Sequence, residues 1–314
     1  MEADENIIPK TVPAPRKQRE WRISPTLGLF RNLWTNLKAR TGILILLFFV
    51  TIALFAQQIA PVRAPAGSNR IVGRPHEPPS TEHWFGTTRQ GQDVFAQMVH
   101  GARTSLAVGF IGGTIIIMIC ILVGVTSGYI GGLVDEILML FTNIFLVLPG
   151  LVLIIVIAGW LERPGPITIV LVLSLTSWAY GARVLRSQTL TLRNREFVAA
   201  ARVAGEPTYR IVLFEILPNM TSLVVSSWIG AILFVILTQA TLEFIGLGNP
   251  NNVSWGTILY WAQNNQAMLN NAWWTFIPPG TTIALVGLAL TLINYGIDEI
   301  TNPRLRVEKV AEPE

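Results

Sequence analysis

Long stretches without a single charged residue divide this chain, and their length decides what it can fold into. Thr41–Val62, Thr104–Val134 and Ile216–Leu242 carry no Asp, Glu, Lys or Arg, and neither do the residues between Glu136 and Glu162 or between Arg163 and Arg183. A helix needs about 20 apolar residues to cross the hydrocarbon core of a bilayer. Each of these five runs is long enough. The last uncharged stretch, Phe244–Ile297, is too long for one span, and Asn249, Asn251, Asn252, Asn264, Asn265, Asn270 and Asn271 make its middle polar. Only Phe276–Ile297 reads as a helix in lipid. Composition agrees, with 51% hydrophobic and 13% charged residues, where a soluble domain carries about 25% charged. The sequence predicts an all-α, polytopic membrane protein with about six transmembrane helices.

The runs divide the chain. A polar N-terminal segment covers 1–41, a first transmembrane helix 42–60, a loop 61–103, a five-helix core 104–300, and a tail 301–314. Ala64-Pro65-Ala66 looks like a cleavage site. However, 40 residues, many polar or basic, precede the first run, which is also longer than a signal peptide's apolar region, so it reads as a retained helix. Lys and Arg set orientation. Lys10, Arg16, Lys17, Arg19, Arg22, Arg31, Lys38 and Arg40 precede the first span. Arg183, Arg186, Arg193, Arg195, Arg202 and Arg210 lie around the fourth connection, and Arg304, Arg306 and Lys309 in the tail. With six spans these fall on one side, 17 against the 6 of Arg63, Arg70, Arg74, Arg89, Arg103 and Arg163. Both termini and the 183–220 connection are therefore expected in the cytoplasm, and 61–103 and 248–276 outside. Trp84, Phe85, Trp160, Trp255, Trp273 and Trp274 suit an interfacial aromatic belt.

Several function classes find no support. The net charge of +4 is modest and unevenly placed, so no nucleic-acid partner is indicated. Cys120, the single cysteine, sits in an apolar run and cannot form an intrachain disulfide. His76, His83 and His100 share one loop, but at spacings of 7 and 17 residues they match no metal-ligand pattern and read as exposed polar side chains. Ser174, Ser177, Ser226 and Ser227 have no histidine in their spans, which argues against an intramembrane hydrolase and for a non-catalytic chain. No GxxxxGK[ST] occurs.

One connection has unusual chemistry: Asn194–Asn219, NREFVAAARVAGEPTYRIVLFEILPN. Asn194 is a candidate N-cap with Glu196 in the first turn, where a carboxylate complements the helix dipole. Phe197, Ala200, Ala201 and Ala204 recur near one face, and the alanines leave it flat. Gly205 suits a helix end that needs positive φ. Pro207 suits the start of a second helix, along which Tyr209, Val212, Leu213 and Ile216 recur, and Pro218 stops or kinks it. The pattern is helix, glycine turn, helix. It fits a docking element as well as an amphipathic connector.

Within it, Glu196, Phe197, Ala199, Ala200, Ala201, Arg202, Gly205, Arg210, Ile211, Leu217, Pro218 and Asn219 resemble the EAA motif of ABC-importer permeases. Phe85-Gly86-Thr87, Gly91-x-Asp93, Gly101-Ala102-Arg103-Thr104-Ser105-Leu106, Phe244-Ile245-Gly246-Leu247-Gly248, Trp255-Gly256 and Pro303-Arg304-Leu305-Arg306 are similar to the dipeptide/oligopeptide/nickel group, C-type subunit. The likeness covers the chain from about residue 30. The chain departs from it at Gln92, where the group usually has Arg, at Gln239, where it often has an acid, and at Glu243, where it often has a small polar residue.

The resemblance implies a type I importer permease in the inner membrane, paired with a second permease subunit. Two ABC ATPase subunits would bind ATP and Mg, and an extracytoplasmic binding protein would deliver cargo. It implies no cofactor in this chain. The loop 186–219, through Glu196, Phe197, Ala199, Ala200, Ala201, Arg202, Gly205, Pro207 and Arg210, would couple to the ATPases. The cargo would be di- or oligopeptides, with nickel chelates or oligosaccharides as alternatives. Candidates for the path are Pro149 and Gly150, which interrupt the third span, together with Gln239 and Glu243. Gly109, Gly112, Gly113 and Gly124 permit close helix packing, with the partner permease as one candidate neighbour. Asp135, Glu136, Asp298 and Glu299 read as solvated boundaries. A different class, an ion-driven secondary transporter, would require inverted repeats with broken helices and paired acids.

Overall fold

The computed structural model describes residues 33–61, 71–161 and 164–301, and among these the uncharged runs become helices. Most of the basic residues near the termini, with Pro303-Arg304-Leu305-Arg306, lie outside the described residues. α1 (Leu37–Leu54) opens under Asn36, whose side chain accepts from the amides of Lys38 and Ala39. α2 (Val94–Ile130) starts well before the uncharged run, because Asp93 caps it by accepting from Ala96 N and Arg103 sits on an exposed face. Two pairs are bent. α3 (Gly132–Val147) and α4 (Gly150–Trp160) meet at 83°, and α5 (Pro166–Thr176) and α6 (Ala179–Arg193) at 44°. After the connection 194–219 come α7 (Thr221–Phe244), α8 (Trp255–Asn264) and α9 (Ile277–Thr301). Among the described residues four helical stretches are long and apolar enough to cross a bilayer, and six spans result when each bent pair counts as one.

α7 is the central post, packed on α2 and α9, and α1 closes against α9 and α2. Glycines set the α2–α7 distance. A Cβ on Gly113 would stand 2.6 Å from Ile232 Cγ1 and 2.8 Å from Ile232 N, and one on Gly112 3.0 Å from Val235 Cγ1. Gly124 faces the Ala182 carbonyl of α6 in the same way. These glycines thus serve helix packing inside the chain. Polar links cross the same seams. Trp228 Nε1 donates to Thr114 Oγ1 at 3.0 Å, and Ser226 Oγ bonds Asn294.

Two of the four boundary acids, Glu299 and Asp135, tie helices together instead of standing in water. Glu299 accepts from Asn36 Nδ2 at 3.0 Å and lies 3.9 Å from Lys38 Nζ, which binds the end of α9 to the start of α1. Asp135 takes both arms of Arg186. Glu136 and Asp298 are exposed, although Ser226 Oγ lies 3.3 Å from the Asp298 carboxylate.

At the end of the bundle where α7 meets α8, residues 71–93 and 248–276 form a cap. Isolated bridges pair Ile71 with Gln92 and Thr87 with Asp93. Trp255 Nε1 donates to Met98 O at 3.2 Å and Trp274 Nε1 to Thr87 O at 3.1 Å, and both rings are buried. These two tryptophans therefore hold the cap and do not join an aromatic belt; Trp84, Trp160 and Trp273 are exposed. The histidines are also built in. His83 Nδ1 lies 3.1 Å from Asp93 Oδ2, and His100 Nε2 lies 2.9 Å from Ala60 O. No cluster that could hold a metal occurs among the described residues.

Candidate functional site

At the opposite end of α7 the connection folds as two short helices, Glu196–Val203 and a second over 208–219. Asn194 does not cap the first. It ends α6, which runs to Arg193, and Arg195 takes the extended cap position with φ −78° and ψ 150°. Glu196 stands in the first turn. Gly205 has φ +77°, in the left-handed region that favours glycine. Its amide and that of Glu206 return to the carbonyls of Arg202 and Ala201. Pro207, with φ −69° and ψ 150°, caps the second helix.

The second helix widens to π geometry over Ile211–Ile216, just before Pro218. Proline lacks an N–H and crowds the carbonyl four residues back, and a π turn relieves that crowding. The widening shifts the face. Ile211 and Ile216, five apart, are buried, while Tyr209 and Leu213 are exposed. The periodicity expected for Tyr209, Val212, Leu213 and Ile216 assumed 3.6 residues per turn and so held only for Val212, which is half-buried, and Ile216.

What holds this unit is distinct from what it presents. Val198, Ile211 and Ile216 are buried anchors, and Phe197 and Ala201 pack half-buried against the core. Arg202 Nε lies 3.4 Å from Tyr129 Oη, with the guanidinium 5.2 Å from that ring's centre, which ties the first helix to the end of α2. Outward face Glu196, Ala199, Ala200, Val203 and Ala204, with Val203 90% exposed. Tyr209 and Phe214 extend the exposed surface. Arg210 Nη1 lies 2.7 Å from both oxygens of Glu206, which braces the second helix across its first turn.

The two helix breaks meet at a second feature. A cavity of about 290 Å³ is lined by Leu148, Gly150, Leu151, Ser177, Tyr180, Phe234 and Thr238 among others. A second, of about 400 Å³, is lined by Cys120, Ser177, Tyr180, Ser227, Gly230 and Phe234 among others. Ser177, Tyr180 and Phe234 belong to both, and no lining residue is charged. Gly150 thus lines a cavity, and Pro149 caps α4 at the 83° bend. The break at Ser177 was not foreseen. Neither Pro nor Gly marks it; Ser177 ends α5, and Trp178 turns inward, its carbonyl 3.1 Å from Cys120 Sγ.

Gln239 and Glu243 lie elsewhere. They are 1% and 3% exposed on α7 and line neither cavity. Gln239 Nε2 donates to Glu243 Oε1 at 3.0 Å, and Ser254 Oγ donates to Oε2 at 2.5 Å. Ser254 also caps α8 in a capping box with Thr257. The pair anchors the cap.

Comparison with known proteins agrees with this architecture. Residues 120–307 match the family described as binding-protein-dependent transport system inner membrane component. The dipeptide transport system permease protein DppC of Bacillus subtilis (strain 168) is 32% identical over 90% of this chain and 88% of its own length. The oligopeptide transport system permease protein OppC of the same organism is 30% identical over 87% of each chain. The di/tripeptide transport system permease protein DppC of Pseudomonas aeruginosa (strain UCBPP-PA14) is 32% identical over 90% of this chain and 93% of its own. The broken helices expected of an ion-driven carrier thus occur here on the background of an importer permease. The chain belongs to the binding-protein-dependent transport system inner membrane component family: it is a multi-pass permease subunit of an ABC importer in the cell membrane.

Proposed function

We propose that this permease forms half of a path for di- or oligopeptides and that the connection 194–219, within the loop 186–219, is its attachment to the ATPases. The observation that carries this reading is the outward face of Ala199, Ala200, Val203 and Ala204 on a helix whose other side is pinned by Val198 and Arg202. Small side chains let another surface approach closely, and the anchors let the helix transmit a displacement without deforming. In this reading Glu196, Phe197, Ala201, Arg202, Gly205, Pro207 and Arg210 set the loop's shape, with Phe197 and Ala201 packed inward, and Ala199 and Ala200 set its contour. Both termini and this loop face the cytoplasm. Two ATPase subunits supply ATP, Mg and hydrolysis, a second permease completes the path, and a binding protein delivers cargo to the cap.

The path runs through the two cavities that share Ser177, Tyr180 and Phe234, with Pro149 and Gly150 at its broken wall. Helix breaks free backbone carbonyls only where they line protein or water, and hydroxyls of Ser177, Ser227 and Thr238 stand beside them. An uncharged, mainly apolar wall that carries the side chains of Ser177, Ser227 and Thr238 suits peptides of varied side chain. The peptide cargo is supported by the names of the similar permeases. The test is purification from the membrane by a tag on this chain. ATPase chains and a second permease co-purify, and the complex in liposomes takes up peptide only with ATP and the binding protein. Uptake by this chain alone without ATP would refute the proposal.

A further inference from the structure

Asp135 receives a fork of hydrogen bonds. Arg186 Nε lies 2.6 Å from Oδ1 and Nη2 2.6 Å from Oδ2, and Ser127 Oγ lies 2.5 Å from Oδ1. The bidentate geometry is the strong and directional form of an ion pair. Both partners are largely shielded, with side chains 28% and 18% exposed for Arg186 and Asp135. A second rung lies farther along the same helices, where Arg183 Nη2 meets Asn143 Oδ1 at 2.6 Å. The two rungs join α3 to α6.

The position of this ladder matters more than its strength. α6 passes into the coupling helix through Asn194 and Arg195 alone. α3 starts at the Gly131 and Gly132 turn, with φ +74° and +57°, and ends at the 83° break whose Gly150 lines a cavity. The start of α6, Ala179 and Tyr180, lines the same cavity. The Gly-Gly turn is the backbone joint between α2 and α3, and across it Asp135 gathers Ser127 of α2 and Arg186 of α6, so this carboxylate ties α3 to α6 and to the end of α2.

We propose that the Asp135–Arg186 pair is the strut that makes α3, and with it the broken wall of the path, move with α6 and the coupling helix. This rests on the coupling reading above and adds a named transmission element to it. Both are positioning residues: neither touches cargo or nucleotide. Removing the fork leaves only the exposed Arg183–Asn143 rung between α3 and α6, so loop movement reaches the wall weakly and ATP hydrolysis continues with a reduced response to cargo.

The test uses the full transporter in liposomes with its binding protein. In a Cys120→Ala background, Asp135→Cys and Arg186→Cys are combined. Unlinked, the double variant assembles, keeps basal ATPase activity and loses about tenfold in cargo-stimulated hydrolysis and uptake, within the ordinary range of coupling energies. Bridging the two thiols with a short bifunctional methanethiosulfonate restores both in the same sample. Full coupling without the bridge, or a deficit that bridging leaves unchanged, overturns the strut. Gly205→Val is run in parallel. If it keeps normal stimulation, the coupling-loop reading fails on its own, whatever the strut result.

Discussion

Ser254 Oγ donates to Glu243 Oε2 across 2.5 Å, and this contact joins the last turn of α7 to the first turn of α8. Gln239 fills the other carboxylate oxygen at 3.0 Å. Gly256 makes the approach possible, since a Cβ there would lie 2.8 Å from Ala240 Cα.

Glu243→Ala therefore removes the acceptor of Gln239 Nε2 and leaves Ser254 Oγ only its longer contact with Thr257 Oγ1. Each such loss costs about 1–3 kcal/mol. Thermal unfolding in detergent is expected to fall clearly for Glu243→Ala and for Gly256→Val, and much less for Thr241→Ala, whose exposed hydroxyl only returns to its own helix at Leu237 O. An unchanged midpoint for Glu243→Ala would show that the contact does not hold the cap.

The α2–α7 seam separates two glycines that look alike in sequence. Gly113→Ala places a Cβ 2.8 Å from Ile232 N and 2.9 Å from its Cα, so backbone must move, and overpacking of this kind costs about 1–3 kcal/mol. Gly230→Ala meets nothing within 4 Å. The same unfolding measurement is expected to drop for the first and hold for the second.

His76 gives the cap a pH dependence. Burial, aided by the positive charge of Arg89, lowers its pKa from 6.5. Neither ring nitrogen has a hydrogen-bond partner among the described residues. The folded cap thus favours the neutral ring. Its contribution is complete above the unfolded value and is lost as pH falls from there through the lowered folded value. Hydrogen exchange over residues 72–92, corrected for intrinsic rates, is expected to quicken between pH 7.5 and 5.5. His76→Asn keeps a residue that tolerates φ +56° and removes the titration, so the acceleration shrinks. Equal acceleration in both proteins would exclude His76 as its source.

The spans were legible because lipid tolerates few charges, and absence of charge is a signal that needs no three-dimensional context. Where a helix starts was less legible: Arg103 ends the uncharged run, yet α2 continues through it because its side chain is exposed. Pro149 announced one break, but Ser177 carries no local mark, since that bend is held by Trp178 packing against Phe145 at 5.4 Å between ring centres. Gly205 was readable because φ +77° favours one residue type. The face of the second helix was not, because Pro218 turns the preceding stretch into a π helix and changes the period on which the reading depended. Glu243 and Gln239 drew attention as departures from the resembled group, but only their partner Ser254, eleven residues on from Glu243, assigns them to the cap.

Gly205 offers the most direct measurement of the central claim, that 194–219 couples this permease to ATP hydrolysis. No atom lies within 4 Å of a Cβ built there, so substitution acts through the backbone alone. Asn visits positive φ readily and a β-branched residue does not. In the reconstituted transporter, cargo-stimulated ATPase activity is predicted to persist in Gly205→Asn and to vanish in Gly205→Val, with both variants inserted in the membrane at wild-type levels. Normal stimulation in the inserted Gly205→Val protein would contradict the account.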